Sequence, residues 1–81
     1  MVMIDTINGE KIQVCLDPEQ GPFVRIAGLE DCKRLEYLLD AEYFVPYLKM
    51  KSPDFSATGG GVYYFGTVAD PLKLQVLLDG M

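Results

Sequence analysis

The chain has 81 residues, twelve acidic against seven basic and no histidine, for a net charge of −5. That length gives room for one domain, taken as residues 1–81, and a hydrophobic fraction of 49% with five tyrosines and four phenylalanines belongs to a folded chain, not a disordered one. The scatter of the cations argues against direct nucleic-acid binding and against an anionic membrane surface, and the missing histidine removes Ser-His-Asp and Cys-His catalysis together with every Cys/His zinc site.

No apolar run approaches the length of a membrane span, and the N-terminus lacks the basic start and apolar core of a secretory leader. The expected compartment is the cytoplasm. The two cysteines, Cys15 and Cys32, each lie in an apolar pattern and are expected to be buried free thiols.

Residues 1–17 read as a β-hairpin. Asn8-Gly9 suits a tight turn with positive φ at both positions, between the β-branched run Val2–Ile7 and the alternation of Ile12, Val14 and Leu16. Pro18, Gly21 and Pro22 interrupt it, and Phe23–Ile26 is a third strand. Leu29, Cys32, Leu35, Leu38 and Leu39 then recur at spacings of three and four, which predicts a helix over 29–41 with Glu30 and Asp31 in its first turn.

Pro46 ends that pattern, and Leu48 and Met50 alternate with Lys49 in a short strand over 47–51. Ser52–Gly61 reads as a loop because it carries Pro53 and three consecutive glycines. Val62–Val68 is a further strand. The last segment admits two readings: a helix capped by Asp70 with Pro71 behind it, or a strand with Leu72, Leu74, Val76 and Leu78 on one face. The strand is preferred, partly because Lys73–Asp79 resembles Lys11–Asp17 in the pattern K-[IL]-Q-V-x-L-D. The expected fold is α+β: a small antiparallel sheet of five to six strands with one helix packed on one face, in the order βββαβββ.

No catalytic, cofactor-binding or metal-binding residue is expected. The glycines at 59–61 lack the following lysine and helix of a phosphate loop. The carboxylates Glu36, Asp40 and Glu42 share the polar side of the helix, and Tyr43, Phe44 and Tyr47 cluster beside them around Pro46; the set taken forward is Glu36, Asp40, Glu42, Tyr43 and Tyr47. Carboxylates suit a partner with a basic surface, and tyrosines supply apolar area with a polar tip. These five residues are the candidate partner-binding set. By composition the chain resembles small phage or mobile-element proteins, some of which block host machinery.

The expectation is a non-enzymatic protein-binding module, a small acidic inhibitor that covers a basic surface of a nucleic-acid-handling complex. The alternatives are a homo-oligomer built through an edge strand, and a small-ligand binder using the Gly59–Gly61 loop.

Overall fold

Alternation along residues 21–28 organises the sheet: Val24 and Ile26 are fully buried while Arg25 between them is exposed. The computed structural model describes residues 3–55 and 57–80. In it this segment is β2 (Gly21–Gly28), which follows β1 (Cys15–Asp17) and precedes β3 (Leu48–Met50) and β4 (Gly59–Tyr64). The four strands form one antiparallel sheet in the order β1-β2-β4-β3. With two helices beside it, the fold is α+β, but the sheet has four strands rather than the expected five or six, and the helices are two rather than one.

Directly opposed residues in an antiparallel pair project to the same face. Val24 opposes Tyr63 and Ile26 opposes Gly61 on the covered face; Phe23 opposes Tyr64 and Arg25 opposes Val62 on the other. Helix α1 (Leu29–Tyr37) lays Cys32 and Leu35 on the covered face, and Leu39 of the following turn continues the stripe. Helix α2 (Pro71–Asp79) adds Leu74 and Leu78, and Met3, Ile12 and Phe65 complete the core. None of the helices is long and apolar enough to cross a membrane, among the described residues.

The C-terminal segment is a helix, not the preferred strand. The Asp70 carboxylate accepts from the Leu72 amide at 2.9 Å and from the Lys73 amide at 3.5 Å, and Pro71 fills the first helical position. Leu74 and Leu78 are four apart and buried together, while Leu72 and Val76 are exposed. The likeness to residues 11–17 is therefore one of letters, since that segment contains no helix.

Among the described residues the expected N-terminal hairpin reduces to a single bridge between Ile4 and Lys11. Gly9 does take a positive φ, but Asn8 does not, so the connection is wider than a two-residue turn. Asp5 shapes it by accepting from Ile7 N–H (2.9 Å), and Asn8 by accepting from Glu10 N–H (2.8 Å). Beyond the bridge, the side chain of Gln75 takes the place of a neighbouring strand: it accepts from Val14 N–H (2.8 Å) and donates to the Ile12 carbonyl (3.3 Å). Leu16 is exposed, against the alternation. Val2, placed in the first strand, and Ser56, placed in the loop, lie outside the described residues.

The glycine run belongs to β4 and not to a loop: Gly59 pairs with Gly28 and Gly61 with Ile26. The strand predicted over 62–68 accordingly starts earlier and ends at Tyr64. Both thiols are free, Cys32 buried as expected and Cys15 exposed on the edge strand.

Candidate functional site

The helix predicted over 29–41 changes character at its end. Residues Leu38–Glu42 form a π-helical turn, in which Tyr43 N–H donates to the Leu38 carbonyl (2.9 Å) and Val45 N–H to that of Leu39 (2.9 Å). π-turns are rare and concentrate at functional sites. The chain leaves this turn through Phe44, whose φ of +54° places it in the left-handed region. Among the described residues it is the only non-glycine there. An L-residue pays roughly 1–2 kcal/mol for that backbone, yet the Phe44 ring is 77% exposed and packs into no core.

Phe44 is therefore an exposed aromatic residue at the helix end. Tyr37 and Tyr43 are exposed beside it in the sequence, as are Asp40, Ala41 and Glu42. No Lys or Arg occurs between Leu35 and Leu48, so Asp40 and Glu42 have no cation beside them in the sequence.

The five residues singled out from the sequence divide here. Asp40, Glu42 and Tyr43 are exposed at this end of the helix. Glu36 faces inward instead: its Oε2 accepts from the Tyr63 hydroxyl at 2.6 Å and from Lys49 Nζ at 3.0 Å. Burial pushes the Glu36 carboxyl up, but Tyr63 and Lys49 outweigh it and hold it below its ordinary value of 4.5. Burial also pushes the Tyr63 hydroxyl far above the phenol range, with Cys32 and Glu36 adding to the effect. Tyr47 is half-buried, edge-on to Tyr63 with ring centres 5.4 Å apart, and its hydroxyl donates to Asp40 Oδ2 at 3.1 Å. Burial, then Asp40 and Glu36, push it up to about 12. Glu36 and Tyr47 thus brace the helix against the sheet.

A depressed carboxyl pKa gives stability that is present above the unfolded value and lost as pH falls through the folded one. Urea midpoints should therefore fall as pH drops below about 4.5, and Glu36→Gln should flatten part of that loss. Asp17 and Asp79 are also held low, by the Gln20 and Glu19 amides and by Lys11 and Gln75 respectively, and act with the same sign. An unchanged acid slope in Glu36→Gln would show that the Tyr63–Glu36–Lys49 cluster contributes nothing to folding.

A second surface is the uncovered face of the sheet. Cys15, Phe23, Tyr64 and Leu48 form one row across all four strands, and Arg25, Val62 and Met50 form the next. Leu48 and Met50 are exposed, and the Phe23 and Tyr64 rings touch with centres 5.6 Å apart. Among the described residues no three His, Cys, Asp or Glu side chains are grouped so as to hold a metal ion.

No family model matches the chain, and none of the curated proteins or solved structures compared with it matches either. Phe44 belongs to the aromatic cluster around Pro46 in the sequence but not to the five candidate residues. Its signal is local: an aromatic residue two before a proline, just past a helix end, where the chain must turn.

Proposed function

We propose that the protein is a non-enzymatic, cytoplasmic protein-binding module that docks through the end of its first helix. Phe44 is the anchor, Tyr37 and Tyr43 extend the apolar contact, and Asp40 and Glu42 form an acidic rim. The partner of matching chemistry is a protein with an apolar pocket bordered by Lys or Arg, such as a basic surface of a nucleic-acid-handling complex, which the module would occlude as a small acidic inhibitor of the phage or mobile-element type. The observation that carries this reading is an exposed aromatic ring held at a backbone cost that the fold does not recover. Such strain concentrates at binding and switching sites, and single aromatic anchors dominate interface energies.

The test compares the wild-type chain with Phe44→Gly and with Glu42→Lys as tagged baits in the same host lysate, at low and raised salt. A partner captured by the wild type should be lost with Phe44→Gly, a reduction of roughly 30-fold in affinity for an anchor contributing about 2 kcal/mol. It should weaken with salt and with Glu42→Lys. Phe44→Gly should also be more stable by about 0.5 kcal/mol, because relief of the left-handed strain exceeds the extra chain entropy of glycine. Identical capture by all three baits overturns the docking surface; a less stable Phe44→Gly overturns the strain argument.

A second reading rests on the uncovered sheet face. Leu48 and Met50 on the short edge strand β3, aligned with Tyr64 and Val62, suit a second copy of the chain. A strict monomer in sedimentation up to millimolar concentration would rule that out.

A further inference from the structure

At the other end of α1 lies an open cavity of about 640 Å³, between Leu29 in the first helical turn, the end of β3, the short 3-10 turn Pro53–Phe55 and the start of β4. That volume lies within the usual range of small-molecule sites. Its walls combine Leu29, Pro53 and Phe55 with the donors Lys49, Lys51 and Ser52, and its floor is the backbone of Gly59 and Gly60.

The floor is bare by necessity. A Cβ on Gly59, where φ is +80°, would come within 2.9 Å of the Leu29 Cβ, and one on Gly60 would overlap the carbonyl of Ile26. The glycines that let β4 pack against β2 and α1 therefore also leave this hollow without side chains at its base.

The charge of the cavity opposes that of the molecule. A chain of net charge −5 has two of its seven cations here and no carboxylate in the lining. Lys49 is held by Glu36 at 3.0 Å, but no ion pair holds Lys51 among the described residues. Arg25 touches the aromatic wall, its guanidinium 5.1 Å from the centre of the Phe55 ring, but its charge is matched by Asp54 at 3.0 Å. A lysine without a carboxylate, a hydroxyl and an aromatic wall around an apolar hollow recognise one chemistry: an acid group on a compact apolar body.

We propose that this cavity binds a small organic anion, its acid group at Lys51 and Ser52 and its apolar body against Leu29, Pro53 and Phe55. The site is separate from the surface at Phe44, so either can fail without the other.

The experiment titrates isotope-labelled protein with benzoate, phenyl phosphate and the neutral isostere benzamide, following backbone amide shifts at constant ionic strength. Fragments of this size bind in the millimolar range. Saturable shifts at Ser52, Gly59 and Gly60 are expected with an anion and much weaker ones with benzamide. Lys51→Glu, on an exposed side chain, should weaken the anion about fivefold or more while leaving the spectrum otherwise intact. Comparison of benzoate with phenyl phosphate identifies the preferred acid group. No saturable shift with either anion, equal binding of benzamide, or unchanged affinity in Lys51→Glu would each overturn the proposal.

Discussion

Replacing Gly60 with alanine is expected to cost about 3 kcal/mol or more, a quarter to three quarters of the roughly 4–12 kcal/mol that a protein of this size has in total. The added methyl would overlap the Ile26 carbonyl and lie 2.5 Å from that of Ala27. Both obstacles are backbone of the central strand β2, which cannot step aside as a side chain would. The strands would have to part where β4 begins, at the pairings of Gly59 with Gly28 and Gly61 with Ile26. Gly61→Ala is the control: its methyl would meet the Met50 carbonyl at 3.1 Å and the flexible end of Lys49 at 3.2 Å, a tighter fit but one with room to give. Thermal melts of the three chains decide the matter. At about 4–8 °C per kcal/mol for a protein of this length, Gly60→Ala should melt lower by at least 12 °C. Equal loss in the two variants would mean that β2 and β4 are not in close contact at Gly60.

Asp31→Ala is expected to cost about 3 kcal/mol. Asp31 is 2% exposed and lies in the first turn of α1, yet its work is done across the fold. Its Oδ2 accepts from both the backbone N–H and the hydroxyl of Thr6 at 2.8 Å, and its Oδ1 accepts from Arg34 at 3.2 Å. Arg34 in turn donates to the Ile4 carbonyl at 3.2 Å. Removal of the carboxylate strands the Thr6 donors, and part-buried donors without partners cost about 1–3 kcal/mol together with the charge-assisted bonds lost. The ion pair itself adds little, because Arg34 is half exposed. Asp31→Asn keeps one acceptor and should lose about half as much. Urea midpoints measure the loss, and exchange of the Thr6 amide should accelerate before that of the β2 amides. A cost below about 1 kcal/mol would show that the segment around Thr6 is held elsewhere.

The first helix was legible because its spacing has one interpretation: Leu29, Cys32, Leu35, Leu38 and Leu39 recur at three and four, and Cys32, Leu35 and Leu39 are buried, although Leu29 in the first turn is exposed and Leu38 half-buried. The last helix was not, because Leu72, Leu74, Val76 and Leu78 satisfy a period of two as readily as Leu74 and Leu78 satisfy a helical turn. The Asp70 cap and Pro71 carried the distinguishing information, and they outweighed the alternation. The glycine run read as a loop since glycine has little strand preference of its own. Its reason for being in β4 is the close approach of β2, which only the paired structure displays.

The candidate site was legible to a similar degree. Charge and aromatic content pointed to the end of α1, where Asp40, Glu42 and Tyr43 are exposed. They could not separate Glu36 from that group, because its partners Tyr63 and Lys49 stand 27 and 13 residues away. Nor could they single out Phe44, whose exposure follows from a backbone angle.

Gln75 has a consequence for how the molecule opens. Its bonds to Val14 and Ile12 span 61 and 63 residues, and Met3 N–H to the Leu78 carbonyl (3.0 Å) and Lys11 Nζ to Asp79 (3.1 Å) close the same seam. Contacts of such separation form only once most chain entropy has already been lost. The N-terminal segment and α2 accordingly behave as the two halves of one clasp: α2 has no strand ladder to fall back on, so loosening the N-terminal segment frees it, whereas Ile4 and Thr6 stay tied to α1 through Arg34 and Asp31. The four-stranded sheet with α1 can outlive that release, which makes the clasp a unit of partial unfolding and the sheet the last part to go.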